Sequence, residues 1–260
     1  MSNNMSRRSF LQTSAMAAAG AAVASSPLWS SANASAAEAA KKVKKVAATD
    51  KLNIVGVGIG GRGAADINGM ASQNIVALCD CDWNYAADEM SRYPNAKKYK
   101  DYRKMFDEIG NEFDAVVVGT ADHTHACIAA QALAMGKHVY CEKPLTHTVY
   151  ETRLLTKLAK ANGLATQMGN QGASGKDTAK AVEWIQNGEI GEVRRVDCWT
   201  NRPIWPQGLP KPDKVDPIPD TLDWDLFIGP APYREYNSIY HPWNFRGWWD
   251  FGTGALGDMA

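Results

Sequence analysis

The feature that most constrains the fold of this chain is a glycine-rich turn, which lies between a short, mostly apolar run and a helical pattern. Residues 52–57 form the run, and the six residues after it read Gly-Ile-Gly-Gly-Arg-Gly. In a Gly-x-Gly-x-x-Gly turn the glycines allow a tight bend, close approach of a pyrophosphate and close packing of helix on strand, with the phosphates at the helix N-terminus. The residues predicted to bind a dinucleotide here are Gly58, Ile59, Gly60, Gly61, Arg62 and Gly63.

Short apolar runs and helical stretches alternate after this turn, as expected for buried parallel strands joined by helices. Asp101 is placed to cap one helix, and Thr148 with Glu151 forms a capping box for another. The predicted strands are 52–57, 75–79, 113–119, 138–141 and 164–168, and the predicted helices include 102–109, 124–135, 150–161 and 176–186. The fold class is therefore α/β, with a Rossmann dinucleotide-binding domain over residues 51–170.

Asp80 ends the second predicted strand, 22 residues after Gly58. A carboxylate about 20 residues beyond the first glycine is placed to bind the hydroxyls of the adenosine ribose. Such an acid repels a 2′-phosphate, so the sequence favours NAD as the cofactor. Arg62 lies close enough to leave NADP as an alternative.

Charge and cysteine content exclude several other classes. The chain has 28 Lys and Arg and 28 Asp and Glu, with no basic face that would indicate a nucleic-acid partner. Its five cysteines follow neither a disulfide framework nor a zinc pattern. Cys79 and Cys81 are expected to be buried as small apolar residues, and no metal site is predicted.

The N-terminus has the features of an export signal. Arg7 and Arg8 precede a weakly apolar stretch that reaches Ala37 without a charged residue and contains the small-x-small sequence 32–34. This resembles a Tat signal peptide over residues 1–37, followed by a solvated linker over 38–50. The resemblance implies the Tat machinery as a partner, a periplasmic location, and no stable membrane span after processing.

The composition changes in the last third of the chain, which is predicted to begin a second domain. Nine of the 12 prolines lie between Pro203 and Pro242, and six of the nine tryptophans lie from Trp199 onward. Residues 192–200 are predicted to form the first strand of a new sheet. Residues 171–260 are thus interpreted as the start of an α+β open-sheet substrate domain, in which His241 and Arg246 are candidate substrate contacts.

The strand-end sequence Gly-Lys-His-Val-Tyr-Cys-Glu-Lys-Pro at 136–144, together with the glycine turn and the loop 119–125, resembles the Gfo/Idh/MocA family of sugar and polyol oxidoreductases. The resemblance implies that Lys143 lies beside the nicotinamide and the substrate hydroxyl. It also maps Thr120, His125 and Glu142 to the cofactor site. Ala121 stands where the family usually has proline.

The resemblance extends to the last residues and implies further site residues. Asp258 matches the aspartate of the family's Asp-x-x-x-His motif, whose histidine would fall two positions after Ala260. Asn170 and Gln171 correspond to the crossing into the substrate domain and are candidate substrate contacts. We expect the sequence to continue beyond Ala260 and the full-length protein to be a homo-oligomer.

Three functions fit these features. The first is an exported NAD-dependent oxidoreductase that removes hydride from a carbinol carbon of a sugar, polyol or glycoside. The second is NAD-dependent glycoside cleavage through a transient keto intermediate, with the cofactor recycled in place. The third is a non-catalytic NAD-binding protein.

Overall fold

Six parallel strands form a single sheet in the order β3-β2-β1-β4-β5-β6. The computed structural model describes residues 50–259, so the predicted signal peptide and nearly all of the predicted linker lie outside the described residues. The strands are β1 (Asn53–Val57), β2 (Asn74–Cys79), β3 (Lys97–Tyr99), β4 (Ala115–Val118), β5 (His138–Glu142) and β6 (Thr166–Gly169). This is the Rossmann strand order, and ligands bind where it reverses, beyond the carboxyl ends of β1 and β4.

Helices connect the strands and cover both faces of the sheet. They are α1 (Arg62–Gly69), α2 (Ala87–Arg92), α3 (Tyr102–Ile109), α4 (His125–Ala134) and α5 (Val149–Asn162). Side chains alternate along β1, so Val55 packs into the apolar core beneath α3, α4 and α5, while Ile54 packs into the core beneath α1 and α2. A sheet covered on both sides explains why its strands read as nearly continuous apolar runs.

Local signals fixed several helix ends. Asp101 accepts a hydrogen bond from the backbone N–H of Arg103 and caps α3, whose bounds are those predicted. Thr148 and Glu151 form the predicted capping box of α5, and Gly163 ends that helix with a left-handed backbone. The predicted helix 124–135 begins with a 3₁₀ turn, Asp122–Thr124, before α4.

The segment that follows β6 corrects one prediction. Helix α6 (Lys176–Gln186) has its predicted bounds, but residues 192–200 form no strand. All nine of these residues are exposed, and none of them pairs with a strand among residues 50–259. A strand is stable only beside a partner that shares its hydrogen bonds, so the prediction of a strand here is wrong for this structure.

An aromatic cluster forms the core of residues 221–259, the second segment of the structure. It is centred on Trp224, in helix α7 (Trp224–Ile228), and on Phe251, which is fully buried. The other members are Leu222, Phe227, Ile228, Tyr236, Tyr240, Phe245 and Trp248, and the cluster packs on Ala121 of the Rossmann domain. The cluster therefore fixes the second segment, including a 3₁₀ turn (Asn244–Gly247) and α8 (Gly254–Met259), against the carboxyl ends of the strands.

Candidate active site

The glycine turn joins β1 to α1 and lies against the end of β4. Gly58 has a positive φ of 72°, and a Cβ at this position would lie 2.6 Å from Thr120. A Cβ at Gly63 would overlap the carbonyl oxygen of Gly58. Helix α1 begins without a side-chain cap and without an acid in its first turn. No acidic or capping side chain of α1 competes for this helix end, which fits the pyrophosphate of a dinucleotide.

Asp80 lies at the end of β2 and holds the glycine turn in place. Its Oδ2 accepts hydrogen bonds from the N–H groups of Ile59 at 2.8 Å and Gly60 at 3.2 Å, and its Oδ1 accepts one from Asp82 at 3.0 Å. Burial raises the pKa of Asp80 to about 6, although the three N–H donors favour the charged form. The carboxylate lines the cleft, so its predicted contact with the ribose stays a prediction beside this positioning role.

Arg62 is engaged by two acids. Its Nη2 lies 2.7 Å from Asp66 Oδ1, and its Nε lies 3.3 Å from Glu142 Oε1. Burial and the neighbouring Glu142 raise the pKa of Asp66 to about 6, against the effect of Arg62. These two carboxylates bind the guanidinium through Nε and Nη2 and offset its charge, which weakens its attraction for a 2′-phosphate. Asp66 was not singled out in the sequence, since an acid on a helix face has no distinctive pattern.

Lys143 and Asp258 meet at the carboxyl end of β5, although 115 residues separate them. Lys143 Nζ lies 2.7 Å from Asp258 Oδ1 and donates a second bond to the Asp258 carbonyl at 2.6 Å. Arg246 Nε lies 3.3 Å from the same Oδ1. Arg246 is itself held by the face of Trp243, 4.3 Å from its guanidinium, and by the Trp243 carbonyl. Two basic side chains therefore fix the position of one carboxylate.

Glu142 is a buried acceptor beside this pair. Its Oε1 accepts hydrogen bonds from Arg62, Tyr140 and Gln171, and its Oε2 lies 3.3 Å from the backbone N–H of Lys143. Both residues are exposed, but Gln171 points toward the site and lines the cleft, whereas Asn170 does not line it. The structure brings only one of these two predicted substrate contacts to the site.

His125 ties the loop after β4 to the strand end that carries Lys143. Its Nδ1 lies 2.7 Å from the carbonyl of Pro144, and its Nε2 lies 3.0 Å from the carbonyl of Thr120. A carbonyl only accepts, so both bonds form together only when both ring nitrogens are protonated. The residue is 1% exposed. The structure shows it in a positioning arrangement, and the predicted contact with a cofactor would require one of these bonds to break.

His241 lies in the opposite wall of the site. Its ring packs edge-on against Phe227, with 5.0 Å between centroids, and its Nδ1 lies 3.8 Å from Asp82 Oδ2. Burial lowers the pKa of His241 to about 4, although Asp82 acts in the other direction. His241 lines the cleft, so its predicted contact with substrate stays a prediction.

One large cleft connects these groups. It has a volume of about 2310 Å³ and runs between the Rossmann domain and the second segment. Predicted site residues that line it are Gly58, Gly60, Arg62, Asp80, Thr120, Glu142, Lys143, Gln171, His241, Arg246 and Asp258. Within residues 50–259, no group of three or more His, Cys, Asp or Glu side chains is placed to hold a metal ion.

Two models of one protein family match the chain. The oxidoreductase family with an NAD-binding Rossmann fold matches residues 51–170, and the C-terminal alpha/beta domain of that family matches residues 199–260. Together they cover more than half of the chain. The chain belongs to the Gfo/Idh/MocA oxidoreductase family.

Residues 4–24 match the signal sequence of the twin-arginine translocation pathway, which indicates export across a membrane. In the described range, no helix is long and apolar enough to cross a membrane.

Known proteins with a related sequence or fold match this chain over only part of their own length. Inositol 2-dehydrogenase of Salmonella typhimurium is 30% identical over 151 residues, covering 55% of this chain and 44% of that protein. A glycosyl hydrolase family 109 protein of Shewanella pealeana is 26% identical over 209 residues, covering 73% and 44%. The structure of myo-inositol 2-dehydrogenase from Lactobacillus plantarum has a TM-score of 0.51 at 23% identity, covering 55% and 43%, and shares the fold. The match thus spans less than half of each relative.

Proposed function

We propose that this protein is an exported, periplasmic NAD-dependent oxidoreductase that removes hydride from a carbinol carbon of a sugar, polyol or glycoside. The observation that carries the proposal is the 2.7 Å pair of Lys143 Nζ and Asp258 Oδ1, in the cleft that begins at the glycine turn. An amine beside a carboxylate can accept a hydroxyl proton and have its charge balanced at once. The dehydrogenase relatives support the substrate class.

Bound NAD would supply the carbon that accepts the hydride. The glycine turn and Asp80 would hold it, because Gly58, Gly60 and the Asp80 carboxylate line the same cleft and the turn opens helix α1. Lys143, as the uncharged amine, takes the hydroxyl proton as the carbinol becomes a carbonyl, and Asp258 stabilises the resulting ammonium. Arg246, itself held by the Trp243 carbonyl, keeps Asp258 in position for this step.

Replacing Lys143 with methionine tests this role. Lys143→Met keeps the length of the side chain and removes the amine, so we expect turnover to fall by about 10²- to 10⁴-fold, the usual contribution of a positioned acid or base. The dissociation constant of NAD should change little. Lys97→Met is the matched control, because Lys97 is exposed and pairs with Glu112 at the sheet edge. Turnover at the wild-type rate in Lys143→Met would refute the proposal.

A second candidate has support of its own. Residues 221–223 bond to the loop after β2: Trp83 N–H donates to Thr221 O at 3.2 Å, and Asp223 N–H donates to Cys81 O at 2.8 Å. This loop adjoins Asp80, so the second segment covers the adenosine end of the cleft and favours a cofactor that stays bound. A retained cofactor suits a redox-neutral reaction. Oxidation of a ring carbinol acidifies the adjacent C–H, whose proton is removed as the aglycone is eliminated and takes a proton on its oxygen. Water then adds to the C=C bond of the resulting unsaturated ketone, and the hydride returns to the carbonyl.

Product analysis separates the candidates. The wild-type protein is offered free sugars, polyols and aryl glycosides with NAD, and both NADH and released aglycone are followed. NADH formed in step with substrate oxidation, without aglycone, supports the dehydrogenase. Aglycone without accumulating NADH supports the cleavage reaction, for which the family 109 glycosyl hydrolase is a relative. NAD binding with neither product across the panel favours the non-catalytic NAD-binding protein.

A further inference from the structure

Tyr85 lies across the glycine turn. A Cβ added to Gly60 or Gly61 would overlap the Tyr85 ring, so the ring lies directly on these two residues. A pyrophosphate bound at this turn approaches the same backbone. The side chain is still 40% exposed and lines the cleft, which means that it has open space into which it can rotate.

The far side of the Tyr85 ring faces the second segment. The ring makes an edge contact with His241, with 6.1 Å between centroids and 72° between planes. His241 is held in turn by Phe227 and Asp82. Tyr85 therefore spans the cleft from the glycine turn on one wall to His241 on the other.

The backbone that carries Tyr85 is fixed. Asp82 Oδ1 accepts hydrogen bonds from the N–H groups of Asn84 at 3.0 Å and Tyr85 at 3.3 Å, and from the Thr221 hydroxyl at 3.1 Å. Leu222 forms an isolated bridge with Asp82. Since both the turn and the second segment hold this loop, the ring can leave the glycine turn only by rotation of the side chain.

We propose that Tyr85 is a gate for the dinucleotide. The ring rotates off Gly60 and Gly61 to let NAD enter, and its contact with His241 favours the closed position. Because the closed ring lies where the pyrophosphate binds, it slows association and weakens binding. NAD that is already bound keeps the ring open, so its dissociation does not depend on the gate. This role concerns cofactor binding and does not depend on the reaction proposed above.

Stopped-flow binding of NADH to nucleotide-free protein tests the gate, with energy transfer from tryptophan to NADH as the signal. Tyr85→Ala should raise the association rate constant by about tenfold, the factor that one edge-to-face aromatic contact supports, and leave the dissociation rate constant unchanged. The dissociation constant should therefore fall by about tenfold. Tyr85→Phe should match the wild type, because the ring and not the hydroxyl closes the gate.

Trp83→Ala is the matched control. Trp83 belongs to the same loop and has the same exposed fraction of 40%, but it packs near Lys100 and does not line the cleft. Its rate constants should equal those of the wild type. A rise in the dissociation rate constant alone would make Tyr85 a binding contact and overturn the gate, as would unchanged rates in Tyr85→Ala. If circular dichroism shows that Tyr85→Ala is unfolded, Tyr85→Leu replaces it, with the same two outcomes decisive.

Discussion

The bridge made by His125 predicts a loss of stability at high pH. Burial alone would lower the pKa of His125, but the Cys141 side chain, the Asp122 carboxylate and the carbonyl of Pro144 outweigh it and raise the pKa to about 10. The ordinary value is 6.5. Each unit of difference between folded and unfolded states corresponds to about 1.36 kcal/mol. The protonated ring therefore contributes at most about 5 kcal/mol to the free energy of unfolding.

The sign follows from a folded-state pKa above the unfolded-state value. The contribution is fully present below pH 6.5 and is lost as the pH rises through about 10. His123 behaves in the opposite way, because burial lowers its pKa to about 4. An unfolded chain then binds a proton that the folded chain does not, and His123 reduces stability as the pH falls from 6.5 towards 4.

Urea unfolding between pH 6.5 and pH 10 checks this prediction in the wild type and in His125→Gln. A glutamine amide cannot bridge both carbonyls as a cation, so the variant should be less stable at pH 6.5 and should lose less free energy of unfolding up to pH 10. Other titrating groups are common to both proteins and cancel in the difference. His138→Gln is the control, because His138 Nδ1 accepts a bond from Ala165 N–H. Parallel curves for wild type and His125→Gln would refute the reasoning.

Two further predictions concern the cofactor and the export signal. Replacing Asp80 with alanine removes the charge that repels a 2′-phosphate. The ratio of the NADP to the NAD dissociation constant should therefore fall by about tenfold, or about 1.4 kcal/mol, in equilibrium titrations. An unchanged ratio would show that Asp80 does not determine which cofactor binds. Residues 1–37 fused to a reporter should direct export by the Tat route, and changing Arg7 and Arg8 together to lysine should abolish it, as cell fractionation would show; undiminished export would contradict the assignment.

Local patterns predicted the elements whose ends are set by nearby residues. Helix α3 has its predicted bounds because Asp101 caps it within one turn, and α5 begins at the predicted capping box. The prediction of a strand over residues 192–200 was wrong because β-branched residues form a strand only when a neighbouring strand shares their backbone hydrogen bonds. The pattern of a single segment contains no information about that neighbour.

The candidate site was predictable in its motifs and unpredictable in its pairings. The glycine turn and the strand end 142–144 carry recognisable sequences, and resemblance alone suggested that Asp258 approaches Lys143. One partner of each of Arg62 and His125 comes from another element: Glu142 lies 80 residues from Arg62, and Pro144 lies 19 residues from His125. Tyr85 was missed because an aromatic residue in a loop has no pattern that distinguishes a gate from an exposed side chain.

The separation of Lys143 and Asp258 along the chain has a consequence for biogenesis. Synthesis proceeds from the N-terminus, and domains generally fold as units in that order. The ribosome completes all six strands and the glycine turn before it reaches Asp258. Residues 221–223 are also made after β6, so they contact the loop after β2 only once the sheet is complete. We therefore expect a nascent protein that can bind its nucleotide before the proposed reactive pair exists and before its second segment covers the adenosine end. A protein exported in the folded state would then cross the membrane with the cofactor already inside.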